Sequence, residues 1–131
     1  MKRKALLFMN DRSSPQIWPI EIRLKKGEKK LNIEFDDGSC FEYSAEYLRI
    51  ESPSAEAKGH GSSQRKIISG CKNIGINSIE SVGNYAIRIL FTDRHDTGIY
   101  SWDYLYTLGK SYEEKWYRYL KILEALGLSR D

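Results

Sequence analysis

The histidines and cysteines of this sequence number two each: His60, His95, Cys40 and Cys71. On paper they supply four zinc ligands. Structural zinc sites take their ligands in pairs a few residues apart, and these four are scattered, so a site using all of them is not expected. Asp93, His95 and Asp96 crowd one turn. A histidine among carboxylates suits a 2-His-1-carboxylate metal site, for which His60 is the one remaining histidine. The simpler reading is a surface turn in which His95 bonds a neighbour. Gly59-His60-Gly61, followed by Ser62 and Ser63, offers backbone N–H groups to an anion. Neither a phosphate-loop lysine nor a dinucleotide fingerprint accompanies it, and a plain loop explains it as well. Serine, histidine and aspartate all occur, without the Gly-x-Ser-x-Gly elbow of a hydrolase. No catalytic set is complete, so an enzyme is not expected.

The elements that must position these residues are legible from periodicity. Ile20, Ile22 and Leu24 alternate with Glu21, Arg23 and Lys25, the period of a half-buried strand. After a turn at Lys26-Gly27-Glu28, Leu31, Ile33 and Phe35 alternate again, so the two form a hairpin. Asp36-Asp37-Gly38 is a turn signal, and Cys40, Phe41 and Tyr43 make a short third strand. Ser44 can cap a helical turn through Leu48. Residues 52–65 are polar and small and read as a surface loop. Strands resume from Ile74 to Val82, from Tyr85 to Phe91 and from Thr97 to Tyr100, with a turn at 93–96. Ser101 and Asp103 begin a short helix that Gly109 is expected to stop. Ser111 and Glu114 have capping-box spacing, opening a final helix with Trp116, Leu120, Leu123 and Leu126 near one face and Gly127 as its left-handed cap.

Two segments echo each other. Phe35–Leu48 reads FDDGSCFEYSAEYL and Phe91–Leu105 reads FTDRHDTGIYSWDYL. Tyr43, Ser44, Glu46, Tyr47 and Leu48 match Tyr100, Ser101, Asp103, Tyr104 and Leu105. Each is a hairpin whose return strand feeds a serine-capped helix with an acidic residue in its first turn, as the helix dipole favours. Internal duplication and convergence on a common strand-to-helix turn both account for the match.

Bulk composition restricts the class. The chain has 131 residues, enough for one domain with its own core. Hydrophobic residues make up 40% and charged residues 30%, a globular balance. The net charge of +3 lacks the steep, clustered excess of a nucleic-acid domain, so nucleic acid is not expected as a partner. No apolar run is long enough to span a bilayer. Ala5 to Met9 is shorter than a signal-peptide core, and the two cysteines show no pairing pattern, so a cytoplasmic location with reduced thiols is expected.

Pro19-Ile20-Glu21-Ile22-Arg23, Leu48-Arg49 with Ser52-Pro53-Ser54-Ala55-Glu56, Gly59-His60-Gly61, Val82-Gly83-Asn84-Tyr85-Ala86 and, most specifically, the block HDTGIYSWDYL at His95–Leu105 resemble one family. It is the domain of unknown function 971, also called the gamma-butyrobetaine hydroxylase-like N-terminal domain, in its stand-alone bacterial form. The resemblance covers residues 15 to 126. It implies kinship with domains that precede a hydroxylase, away from its iron site, and with others fused to ATPases of iron–sulfur cluster assembly. In the hydroxylase the domain is held by a zinc on C-x-C-x-x-C and a later histidine. By resemblance those positions fall on Ser52, Ser54, Ala57 and His95. Hydroxyls and a methyl cannot supply thiolates, so neither metal nor other cofactor is expected, and hydroxylation does not transfer with a fold. The resemblance also implies that the loop at 52–65 lies close to the turn at 93–96.

The expected fold is α+β: a twisted, mostly antiparallel sheet of about six strands packed with a C-terminal helix and one or two short helices. Residues 1–14 are expected to be a loosely ordered lead-in and 15–131 the domain. The expected function is an accessory module that binds a partner protein linked to iron–sulfur or redox-enzyme maturation, through a surface of His95, Asp96, Tyr100, Trp102, Asp103, Ser54, Glu56 and His60. The alternative is a metal- or cluster-binding protein using His95 with His60 or a cysteine.

Overall fold

The fold is built twice from the same plan of three strands and a helix. A computed structural model describes residues 17–53 and 69–131; the lead-in at 1–14 and most of the loop at 52–65 lie outside the described residues. In the first unit, β1 (Pro19–Lys25), β2 (Lys30–Phe35) and β3 (Cys40–Ser44) form an antiparallel meander that runs into α1 (Ala45–Ile50). In the second, β4 (Ile76–Val82), β5 (Ala86–Phe91) and β6 (Ile99–Ser101) do the same and run into α2 (Trp102–Lys110). A final helix, α3 (Tyr112–Leu126), has no counterpart in the first unit among the described residues.

The protein is therefore α+β with the six strands expected, divided into two three-stranded sheets rather than one. The division follows from connectivity. Each meander closes on local turns, and a helix and a long connection separate β3 from β4. The alternation seen in sequence decides which face is buried. Leu31, Ile33 and Phe35 of β2, and Ile87, Ile89 and Phe91 of β5, are all within a few per cent of full burial and share one core with Leu48, Leu105, Leu108 and Leu123.

The duplication extends to the hairpin turns. Phe35 N–H donates to Ser39 O and Gly38 N–H to Phe35 O; Phe91 N–H donates to His95 O and Arg94 N–H to Phe91 O. In both turns an aspartate accepts from the backbone two residues on, Asp37 Oδ1 from Ser39 N–H and Asp93 Oδ1 from His95 N–H. Gly38 and Arg94, at matching positions, both have a left-handed backbone, with φ of 90° and 74°. The helix starts match as well. Ser44 Oγ accepts from Tyr47 N–H at 3.0 Å and Ser101 Oγ from Tyr104 N–H at 3.1 Å, satisfying one of the free donors of each first turn.

Two local expectations are corrected. Gly109 does not stop α2 but sits inside it, pressed against the Phe41 ring so closely that a Cβ would collide; the glycine serves contact, not termination. Ser111 makes no side-chain cap bond, because its N–H donates to Thr107 O as the close of α2 and its backbone is already near-helical where α3 begins. The buried stripe of α3 is Tyr119 and Leu123, flanked by half-buried Trp116, while Leu120 and Leu126 are exposed. Gly127 does end α3 in the left-handed conformation.

Candidate functional site

The block HDTGIYSWDYL, the most specific stretch of the sequence, begins where the second hairpin turn meets the end of α1. Ser52, two residues beyond α1, donates its own N–H to Arg49 O at 3.3 Å and directs its hydroxyl at the turn. Ser52 Oγ and His95 Nε2 are 2.9 Å apart, a hydrogen bond between two buried side chains, 1% and 9% exposed. The His95 ring also lies tilted against Phe91, 6.1 Å between centroids.

Asp93 fixes the turn to the helix. Its Oδ1 accepts from His95 N–H at 3.1 Å and its Oδ2 accepts from Arg49 Nε at 2.9 Å. Partial burial pushes the Asp93 carboxyl up, but the His95 N–H and the Arg49 guanidinium together outweigh it, and the group is held below its ordinary value. Gly98 closes the far side. A Cβ there would meet Ser52 Oγ and the Tyr100 ring, so the approach of the strand to the Ser52–His95 pair requires glycine.

The other half of the molecule shows what this site is not. Ser39 stands where the second unit has His95, Gly109 where the first has Ser52, and Phe41 where the second has Gly98. There the Phe41 ring fills the corresponding space against Gly109 and packs edge-on to Phe35 and Tyr106. The Arg49–Asp93 contact is matched by Tyr106 Oη donating to Asp37 Oδ2 at 2.6 Å. One copy of the site is polar and the other is plugged with an aromatic ring.

Of the site residues expected from sequence, the structure brings together Ser52 and His95, so these two ends of the 52–65 and 93–96 segments do meet. Asp96 and Asp103 are exposed. Tyr100 faces inward, completely buried, its hydroxyl donating to Leu48 O at 2.5 Å, and burial raises its pKa; its side chain is not part of a surface. Trp102 is 8% exposed and donates its indole N–H to Asn84 O at 2.9 Å. Ser54, Glu56, Ala57 and His60 lie outside the described residues. Sequence reasoning missed Arg49 and Gly98. The repeated Asp-x-Ser39 and Asp-x-His95 spacing was the signal that Asp93 braces the turn.

These residues do not fit the zinc that the family resemblance implies. Ser52 carries a hydroxyl already engaged by His95, and zinc in a closed site takes thiolate or imidazole ligands. Among the described residues, no group of three His, Cys, Asp or Glu side chains is placed to hold a metal ion. Cys40 is exposed, and Cys71 is buried with its thiol bonded to Ser69 O at 3.6 Å and its pKa pushed up by that burial. Among the described residues, no helix is long and apolar enough to cross a membrane.

The chain resembles proteins of known structure over most of its length. Two protein structures determined by NMR in solution are 38% and 41% identical to it. They match over 87% and 92% of this chain and 90% of each of those chains, with TM-scores of 0.77 and 0.76. A crystal structure of a DUF971-family protein of unknown function from Acidithiobacillus ferrooxidans is 31% identical, over 70% of this chain and 91% of that one, with a TM-score of 0.59. No curated protein matches the chain. The model of one family, gamma-butyrobetaine hydroxylase-like, N-terminal, matches residues 22–106. With that match over most of the described fold, and with the His95–Leu105 block seated on the Ser52–His95 pair, the chain belongs to the gamma-butyrobetaine hydroxylase-like N-terminal (DUF971) family.

Proposed function

We propose that this protein is a non-enzymatic binding module that docks a partner protein in iron–sulfur or redox-enzyme maturation. The carrying observation is the Ser52–His95 hydrogen bond. At positions where metal-bearing kin place ligands, these side chains satisfy each other, so the turn is braced without an ion. Its outward residues, Arg94, Asp96 and Thr97 before the edge strand β6 and Ile99 on it, together with Asp103 at the start of α2, then form an exposed ridge. A pre-organised ridge with a 46% exposed isoleucine between charges has the character of a contact surface. The fusion of related domains to cluster-assembly ATPases, which the family resemblance implies, supports the same direction.

The test is affinity capture by the purified chain and by an Asp96→Lys, Ile99→Asp variant, with metal analysis of both preparations. The reading expects one protein retained by the parent and lost by the variant, and less than about a tenth of an equivalent of metal, far from the stoichiometric loading of a structural site. Stoichiometric metal, or capture indifferent to the ridge, overturns it.

A further inference from the structure

Beyond α3 the chain turns back on itself. Gly127 has a φ of 69°, Leu128 N–H donates to Leu123 O at 2.9 Å, and residues 128–131 then run across the segment that precedes β4. Gly70 N–H donates to Ser129 O at 3.0 Å and Lys72 N–H to Arg130 O at 2.9 Å, so the crossing holds the backbone on both sides of Cys71. Lys72 Nζ adds an exposed ion pair to Asp131 at 3.6 Å. Arg130 fastens the crossing to both flanking helices. Its guanidinium forks onto Glu46 of α1, with Nε at 3.0 Å from Oε2 and Nη2 at 2.8 Å from Oε1, and lies over the Trp116 ring of α3, 5.4 Å from its centroid.

We infer that residues 128–131 are a strap, latched by Arg130 on Glu46, that opens as a unit and controls access to the Cys71 thiol. The strap lies over groups that solvent barely reaches. Cys71 is 3% exposed, Glu46 5% and Tyr119 8%. Burial pushes the Cys71 thiol up and so keeps it protonated and inert. The hold is local. Arg130 keeps 40% of its side chain exposed, and lifting the strap breaks neither a strand pairing nor one of the tyrosine bonds that Tyr43 and Tyr100 send to α2 and α1. The closed state also carries a penalty. The Tyr119 hydroxyl, beside Glu46 and Cys71, is buried without a hydrogen-bond partner, and water satisfies it once the strap lifts. A segment held by a few solvent-edge bonds opens ahead of the core. The inference stands apart from the ridge at Asp96 and Ile99.

The test is alkylation of the full chain by iodoacetamide in a Cys40→Ser background, where Cys71 is the one thiol left, beside amide hydrogen exchange read by NMR. The expected result is that the Gly70 and Lys72 amides exchange well before those of Ile33 and Ile87 in the central strands β2 and β5. Arg130→Ala should speed both Cys71 alkylation and Gly70 and Lys72 exchange about tenfold or more, with Ile33 and Ile87 unchanged. Glu46→Gln, which keeps the side chain's shape and removes its charge, should move the same probes in the same direction. Gly70 and Lys72 exchange indifferent to Arg130→Ala overturns the inference. So does Cys71 alkylation that rises only together with exchange at Ile33 and Ile87, which would make unfolding of the whole domain the route to the thiol. Should Arg130→Ala fail to fold, the parent decides. Alkylation at the opening rate of Gly70 and Lys72 supports the strap, and alkylation at the rate of Ile33 and Ile87 overturns it.

Discussion

Tyr43 and Tyr100 make the same hydrogen bond to each other's helix. The Tyr43 hydroxyl donates to Leu105 O in α2 at 2.7 Å, and the Tyr100 hydroxyl to Leu48 O in α1 at 2.5 Å. Tyr47 and Tyr104 repeat the exchange one turn on, donating to Leu108 O and Glu51 O at 2.7 and 2.5 Å. Each donor and its acceptor lie in opposite units, so the four bonds relate the halves as a two-fold axis relates subunits. Replacing Tyr43 or Tyr100 with phenylalanine leaves a buried carbonyl without its donor and is expected to cost about 1–3 kcal/mol each. Urea unfolding checks it, and near-equal losses at the two positions are what the symmetry requires.

Ser52 and His95 should be energetically coupled. Ser52→Ala or His95→Phe alone strands one buried polar partner, whereas the double replacement strands neither. The double-mutant cycle is expected to show a coupling of about 1 kcal/mol or more. Strict additivity would mean that the 2.9 Å bond contributes nothing.

Arg94 holds the left-handed conformation that Gly38 holds in the first unit. A side chain there costs about 1 kcal/mol relative to glycine. Arg94→Gly is therefore expected to raise the urea midpoint with no change in slope, a rare stabilising glycine.

Gly109→Ala should act in the opposite direction. The added methyl drives into the Phe41 ring, and overpacking of this kind costs about 1–3 kcal/mol. Combining it with Phe41→Leu should recover part of the loss, which thermal unfolding of the three variants can measure.

Asp93 carries a pH signature. Its folded pKa is lowered from 3.8, burial being outweighed by the His95 N–H and Arg49, so its stabilising contribution is present above that value and fades as pH falls below it. Asp93→Asn should therefore cost stability at neutral pH, with the gap to the parent closing under acid. The carboxylate is partly solvent-screened, so the gap is modest. A difference that persists undiminished at pH 2 would assign the effect to shape rather than charge.

Much of the fold was legible because the strands alternate cleanly. Ile20 to Leu24, Leu31 to Phe35 and Ile87 to Phe91 show the period-two pattern that one-sided burial imposes. The echo of Tyr43-Ser44 in Tyr100-Ser101 was visible as letters, but its meaning was not, since a hydroxyl's acceptor is a carbonyl on a distant helix. Gly109 misled because a glycine's local role as helix breaker and its role as a contact surface look alike in sequence; only Phe41 distinguishes them. Tyr100 reads as a surface residue beside Asp96 and Asp103 along the chain, yet strand alternation turns it inward between exposed Ile99 and half-buried Ser101. Family likeness brings His95 near Ser52, while the bracing by Asp93 and Arg49 is visible only in the fold.

The tyrosine exchange has a consequence for how this polypeptide can be cut. Since every strut begins in one half and ends in the other, severing the backbone between Pro53 and Ser69 removes no strut. The two fragments should then behave as obligate complements, each unable to seal its helix ends alone and both restored on mixing, which makes the domain a natural scaffold for a split reporter.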